Sequence, residues 1–444
     1  MRGKNLNEGA GGHAEVNTRN ADPVVPIERT AVRTAFRRTP WMVAIALSLC
    51  ACIAHHPSVR PVAPAQIDRI VERQMDGARV PGLAIAVIRD GRIDYLHAYG
   101  SRDVQTLRPL QTDTVMYGAS LTKAAFAWMV MQLVDEGVIE LDRSIAAILP
   151  KPLPDYEKYA DLAGDERWRM LTPRLLLSHR SGFPNFRFFT ANGFDEKGKL
   201  YFAFDPGSRY GYSGEGINLL QFVIETGLGL DVGREMQTRV FDRFGMTRTG
   251  MLWREDFAGN LATGYDEDGK PIAHRARRGV RAAGSMDTTI ADQARMVGGM
   301  LAGDGLSADS RAERLRPQAR IRSLQQFPTL SERTTTDNDG IALATGLGVI
   351  VYDSPLGKAW FKSGHDDGTN NLILAFPEAK AALVMLSNSS NGESVFRALA
   401  DELLGPTCFP WFWENDIPFD HPEWKTPAAL DQPHPPCAAL PPLR

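Results

Sequence analysis

The stretch "MYGASLTKAAFAWMVMQLVDEG", residues 116–137, decides how this chain reads. From Lys123 to Val134 almost every side is apolar, which predicts a helix enclosed by the core. A lysine inside such a helix is costly unless it is paired or used. Ser120 lies three positions earlier, and at a helix start residues i and i+3 share a face, so the amine can reach the serine oxygen. Unpaired N–H groups of the first turn favour negative charge developing there. A serine becomes a nucleophile only when a base takes its proton. Lysine serves as that base if burial and neighbouring charge lower its pKa from about 10.4 toward neutrality. Taken alone, the same four residues also describe a serine N-cap followed by a lysine reaching for solvent, so the rest of the chain must decide.

The chain has 444 residues, 43% of them hydrophobic, with 50 basic against 53 acidic side chains. That suits a folded protein with one large or two smaller cores. With charge nearly balanced and no basic block in the main body, nucleic acid is not an expected partner. Residues 1–40 read as a disordered polar leader ending in a basic region with Arg33, Arg37 and Arg38. The apolar run "WMVAIALSLCACIA", residues 41–54, is short of the roughly 20 residues of a membrane span but fits a secretory signal. Its "LCAC", ending at Cys52, is similar to the lipobox of bacterial lipoproteins; a cleaved signal or a short uncleaved anchor are the other readings. Export is therefore expected, to the periplasm or to a membrane-anchored state. Cys408 and Cys437 both lie in the tail, where an oxidising compartment permits a disulfide. No Cys-x-x-Cys occurs and the nine histidines are scattered, so no metal-ligand cluster is expected.

Residues 55–65 read as a linker, and Ile67, Ile70, Val71 and Met75 mark one face of a following helix. "LAIAVIRDGRIDYLHAYG" holds two strand-like runs joined by Asp90-Gly91, a hairpin signal. Near the other end "NLILAF" and "AALVMLSNS" form a second pair across "PEAK", followed by the helical "ESVFRALADELL". Strands at both ends predict one antiparallel sheet flanked by helices, an α+β fold whose middle section, about residues 140–340, forms a mostly helical second lobe. The domain spans residues 66–404, and the Pro-rich tail, 405–444, is expected to wrap the surface.

"ASLTK" with the upstream "GLAIAVIRDGR" resembles the serine β-lactamase and penicillin-binding protein superfamily, in its class C-like branch. The resemblance extends over "DPGSRYGYSGEGINLL", "WFKSGHDDGTNNLILAFP", "LTPRLLLSHRSGFP" and "GLGVIVY", from about residue 66 to 404. It implies Ser120 as nucleophile, and Lys123 and Tyr212 as the groups that move its proton. Lys362, Ser363 and Gly364 then form a Lys-Thr-Gly-like third motif, with Ser363 and Gly364 against substrate. His365 is the alternative third-motif residue in a His-x-Gly register, although Asp367 then stands where glycine belongs. The implied oxyanion hole comprises the backbone N–H groups of Ser120 and His365. His179 reads as a loop anchor.

In two places the chain departs from the family pattern. Gly214 replaces the asparagine of the second motif, and Glu215, Asp366 and Asp367 add acid beside the expected cleft. If those acids face the cleft they oppose a substrate carboxylate and tolerate neutral esters or an amine. The expected activity is hydrolysis of a small ester or amide through an acyl-enzyme that water resolves, with no cofactor. β-Lactamase or D-alanyl-D-alanine carboxypeptidase action on a peptide-like substrate is the runner-up. A non-catalytic sensor or binding domain is the alternative from another class.

Overall fold

In the computed structural model, residues 58–190 and 193–437 are described. The leader, the segment 41–54 and Cys52 lie outside them. Among the described residues no helix is long and apolar enough to cross a membrane.

A nine-stranded antiparallel sheet forms the frame. In spatial order its strands are Ala319–Arg320, Ala344–Thr345, Ile350–Ser354, Gly357–Asp366, Thr369–Phe376, Ala381–Ser387, Gly82–Arg89, Arg92–Asp103 and Arg108–Pro109. The two ends of the domain meet at the centre, where Leu83 pairs with Ser387 and Ile88 with Ala382. Asp90 and Gly91 both have positive φ (51° and 74°), the backbone that a tight two-residue hairpin requires. The other expected pair, Thr369–Phe376 with Ala381–Ser387, joins across Pro377–Lys380.

Every residue of Gly82–Arg89 is buried because both faces of the sheet are covered. One face packs Ala84, Ala86 and Ile88 against helix Leu121–Asp135 and the helical lobe. The other packs Leu83, Ile85 and Val87 against helices Pro64–Ala78 and Phe396–Leu404. Pro64 occupies the first turn of its helix, where a missing N–H costs nothing, so the helix begins two residues inside the expected linker.

The tail differs from expectation. Phe409, Trp411 and Trp413 are buried in the second core, with the Phe409 ring 4.5 Å from that of Phe361. Cys408 and Cys437 are joined by a disulfide. The aromatic run "CFPWFW" outweighs the prolines around it, and burying three large rings makes residues 408–414 part of the core.

Candidate active site

Ser120 stands at the N-cap of helix Leu121–Asp135, whose residues 121–133 are all buried. Ala119 before it has φ 45°, a conformation that a residue with a Cβ adopts at a cost of about 1–3 kcal/mol when the surroundings enforce it. This turn presents Ser120 at the head of the helix, where the N–H groups of Leu121, Thr122 and Lys123 bond back to the carbonyls of Gly118, Ala119 and Ser120 at 3.0, 3.2 and 3.0 Å. The Lys123 Nζ donates to Ser120 Oγ at 2.8 Å and also to the carbonyl of Ala283. Lys123 is fully buried, and burial, aided by the Lys362 charge, lowers its pKa to about 8 despite the opposing pull of Tyr212.

Tyr212 lies between two amines, with Lys123 Nζ and Lys362 Nζ each 5.0 Å from the ring centroid. The His179 ring packs on it, 4.4 Å between centroids, and His179 Nδ1 lies 3.2 Å from both the N and the O of Ser213. Burial, with Lys123 and Lys362 nearby, holds the His179 pKa well below its ordinary value. His179 thus fixes the turn that carries Tyr212. Ser213 is the N-cap of helix Gly214–Gly227, its hydroxyl accepting from Gly216 N at 3.0 Å and donating to Pro184 O at 2.9 Å. Glycine at 214 is explained by space, since a Cβ there would sit 2.4 Å from the Phe186 ring.

Strand Gly357–Asp366 forms the opposite wall. The Lys362 Nζ donates to Ser363 O at 2.7 Å, and burial lowers its pKa to about 8 against the pull of Glu414. A Cβ on Gly364 would lie 2.7 Å from Gly118 O and 3.2 Å from Ser120 N, so only glycine lets this strand reach the serine. His365, the next residue, also lines the cleft. Its Nε2 lies 3.2 Å from Glu393 Oε2 and 3.5 Å from Asp416 Oδ1. Burial opposes its protonation, yet these carboxylates raise its pKa well above the ordinary histidine value. Lys362, not His365, is the cation beside Tyr212.

The tail brings a residue that sequence reasoning missed. Glu414 is 1% exposed, accepts from the Ser363 hydroxyl, and accepts from Gln326 Nε2 at 2.9 Å. Its Oε2 has no hydrogen-bond partner among the described residues, and burial raises its pKa. The aromatic run around it was the signal that this segment turns inward.

The expected ring of acids is only partly present. Glu215 is buried against Arg187, with Nε–Oε1 3.1 Å and Nη2–Oε2 3.0 Å, so its charge is matched and cannot repel a substrate. Asp366 and Asp367 are exposed on the rim of the cleft. That cleft measures about 1470 Å³ and contains Ser120, Tyr212, Lys362, Ser363 and Glu414. Phe186, Phe188, Phe189, Phe222 and Phe327 give it an aromatic side, and Arg275 and Arg281 also face it.

The family model Beta-lactamase matches residues 67–405. The chain belongs to the β-lactamase family. It is a β-lactamase-related serine hydrolase, with the α+β fold expected from its sequence. Among its relatives, Penicillin-binding protein 4 of Amycolatopsis lactamdurans is 27% identical over 343 residues, covering 73% of this chain and 85% of that protein. Esterase EstB of Burkholderia gladioli is 28% identical over 237 residues, 49% of this chain and 58% of its own length. The matched region thus spans little more than half of that esterase. Two solved structures share the fold. The octameric penicillin-binding protein homologue from Pyrococcus abyssi has TM-score 0.62 at 21% identity, covering 78% of each chain. D-alanine carboxypeptidase AmpC from Burkholderia cenocepacia has TM-score 0.59 at 19% identity, covering 76% of this chain and 98% of that one.

Proposed function

We propose that this hydrolase cleaves small neutral esters or amides through an acyl-enzyme on Ser120. The observation that carries this reading is the 2.8 Å contact of a fully buried lysine amine with the Ser120 hydroxyl inside an open cleft. Lys123 takes the serine proton as Oγ attacks the carbonyl, and Tyr212, beside both lysines, relays it to the leaving group. The backbone N–H groups of Ser120 and His365 face the developing oxyanion, and water then releases the acid.

Glu414 supports a neutral substrate. The Ser363 hydroxyl and the nearby Lys362 ammonium would otherwise suit a carboxylate, but a buried protein carboxylate already engages that hydroxyl. The aromatic side of the cleft suits an apolar acyl or alcohol group. The second reading, β-lactamase or D-alanyl-D-alanine carboxypeptidase, draws on Arg275 and Arg281, which could receive a carboxylate farther out. The test is kcat/KM for a short aryl ester, a penicillin and a D-Ala-D-Ala peptide, in wild type and in Glu414→Gln. The ester should lead in wild type, with the carboxylated substrates gaining in the variant. A penicillin or peptide preferred by wild type overturns the ester reading, and acylation without turnover favours a sensor.

The Cys408–Cys437 disulfide supports export to an oxidising compartment, in line with the signal-like segment and its Cys52. Membrane attachment through that segment is part of the same proposal. Fractionation of cells expressing wild type and Cys52→Ser checks it: lipidation predicts a membrane-bound wild type and a released variant.

A further inference from the structure

In the wall of the cleft, three chain segments far apart in sequence converge on one point. His365 comes from strand Gly357–Asp366, Glu393 from the turn Gly392–Val395, and Asp416 from the tail. One ligand-type atom from each lies within 4.8 Å of the others. Two of the separations are known individually, 3.2 Å from His365 Nε2 to Glu393 and 3.5 Å from it to Asp416. Metal–ligand bonds of about 2.0–2.1 Å in a tetrahedral site place neighbouring ligand atoms about 3.3–3.4 Å apart, so both separations suit adjacent ligands of one ion.

A second observation points to a cation as ligand. Asp416 is 1% exposed, and apart from the 3.5 Å approach of His365 neither of its carboxylate oxygens has a hydrogen-bond partner among the described residues; the Oε2 of neighbouring Glu414 is also without one there. His365 Nε2 makes no well-aligned hydrogen bond either. Buried carboxylates in a folded protein are normally matched by donors, by a fixed positive charge or by a metal. Here Glu393 and Asp416 share one imidazole, Glu414 is bonded to the Ser363 hydroxyl, and the Lys362 amine is directed to Ser363 O.

We propose that His365, Glu393 and Asp416 bind a divalent transition metal of the zinc type. An imidazole nitrogen with two carboxylates suits such an ion better than magnesium or calcium, which prefer all-oxygen sites. The ion has a structural role. It pins the tail and the Gly392–Val395 turn to the strand whose Gly364 packs against Ser120, and so holds the backbone at His365 in place. It enters no step at Ser120, and its binding is measured without reference to activity.

The test uses the full chain, stripped with chelator, dialysed against zinc, desalted and assayed by elemental mass spectrometry. Melting is followed with zinc and with EDTA. Wild type and the inactive Ser120→Ala should each retain about one zinc per chain and melt a few degrees higher with zinc. Glu393→Gln keeps the fold, because its side chain is partly exposed, and should lose at least about tenfold in zinc affinity. Asp416→Asn should do the same if it folds. Wild type that retains no zinc and melts alike under both conditions overturns the proposal, leaving a protonated His365 to balance the acids. So does zinc retained equally by the Glu393→Gln variant.

Discussion

Replacing Lys362 by methionine tests how Lys123 comes to be a base. The two amines flank one tyrosine ring at 5.0 Å each, so they lie within about 10 Å of each other. At an effective dielectric of about 20, two unit charges at that outer limit repel by at least about 1.7 kcal/mol, a little over one pKa unit. Lys123, now at about 8, should therefore rise toward about 9 when the neighbouring charge is removed. Its sign follows from the free amine being the active form: a higher pKa leaves less base at neutral pH. At pH 7 the neutral fraction should fall from about 10% to about 1%, and kcat/KM with it. The assay is kcat/KM for a neutral aryl ester from pH 6 to 10, with circular dichroism confirming the fold. The ascending limb should move up by about one unit, with activity recovering at the alkaline end. Equal loss at every pH, with the limb unmoved, would refute the electrostatic reasoning and assign Lys362 to direct substrate contact.

Other outcomes follow from packing and connectivity. Gly364→Ala puts a Cβ 2.7 Å from Gly118 O, so acylation should drop about a hundredfold or more and denaturant titration should show a loss of about 1–3 kcal/mol; full activity would show that the strand can retreat. Arg187→Ala leaves the buried Glu215 with only the backbone N–H of residue 187 and no matching charge, and denaturant titration should show a loss of about 3 kcal/mol. Cys437→Ser opens a link between residues separated by 29 positions, which the chain-entropy model values at about 3–4 kcal/mol. Because the tail carries Glu414, that variant should also lose activity on warming before the whole protein melts.

The parts of this molecule that were legible in its sequence are those whose signals are local. Ser120 and Lys123 are one helical turn apart, so their contact follows from helix geometry alone. Asp90-Gly91 names its own turn, and the apolar runs near both ends identify the strands that close the sheet. What distant segments bring together was not legible. Glu215 reads as a free acid until the fold supplies Arg187 from another loop. Glu414 and Asp416 sit in a tail that its prolines suggest is peripheral, yet burial of Phe409, Trp411 and Trp413 carries both acids to the third-motif strand. The histidines looked scattered because the carboxylate neighbours of His365 come from elsewhere in the chain.

The central claim is that Ser120 becomes acylated. Intact mass of the protein, quenched early in its reaction with a short aryl ester, tests it most directly, with peptide mapping of the adduct and Ser120→Ala beside it. An acyl adduct is expected on the peptide containing Ser120, transient in wild type and absent from the variant. Ester turnover that persists in Ser120→Ala, or an adduct that maps to another residue, would contradict it.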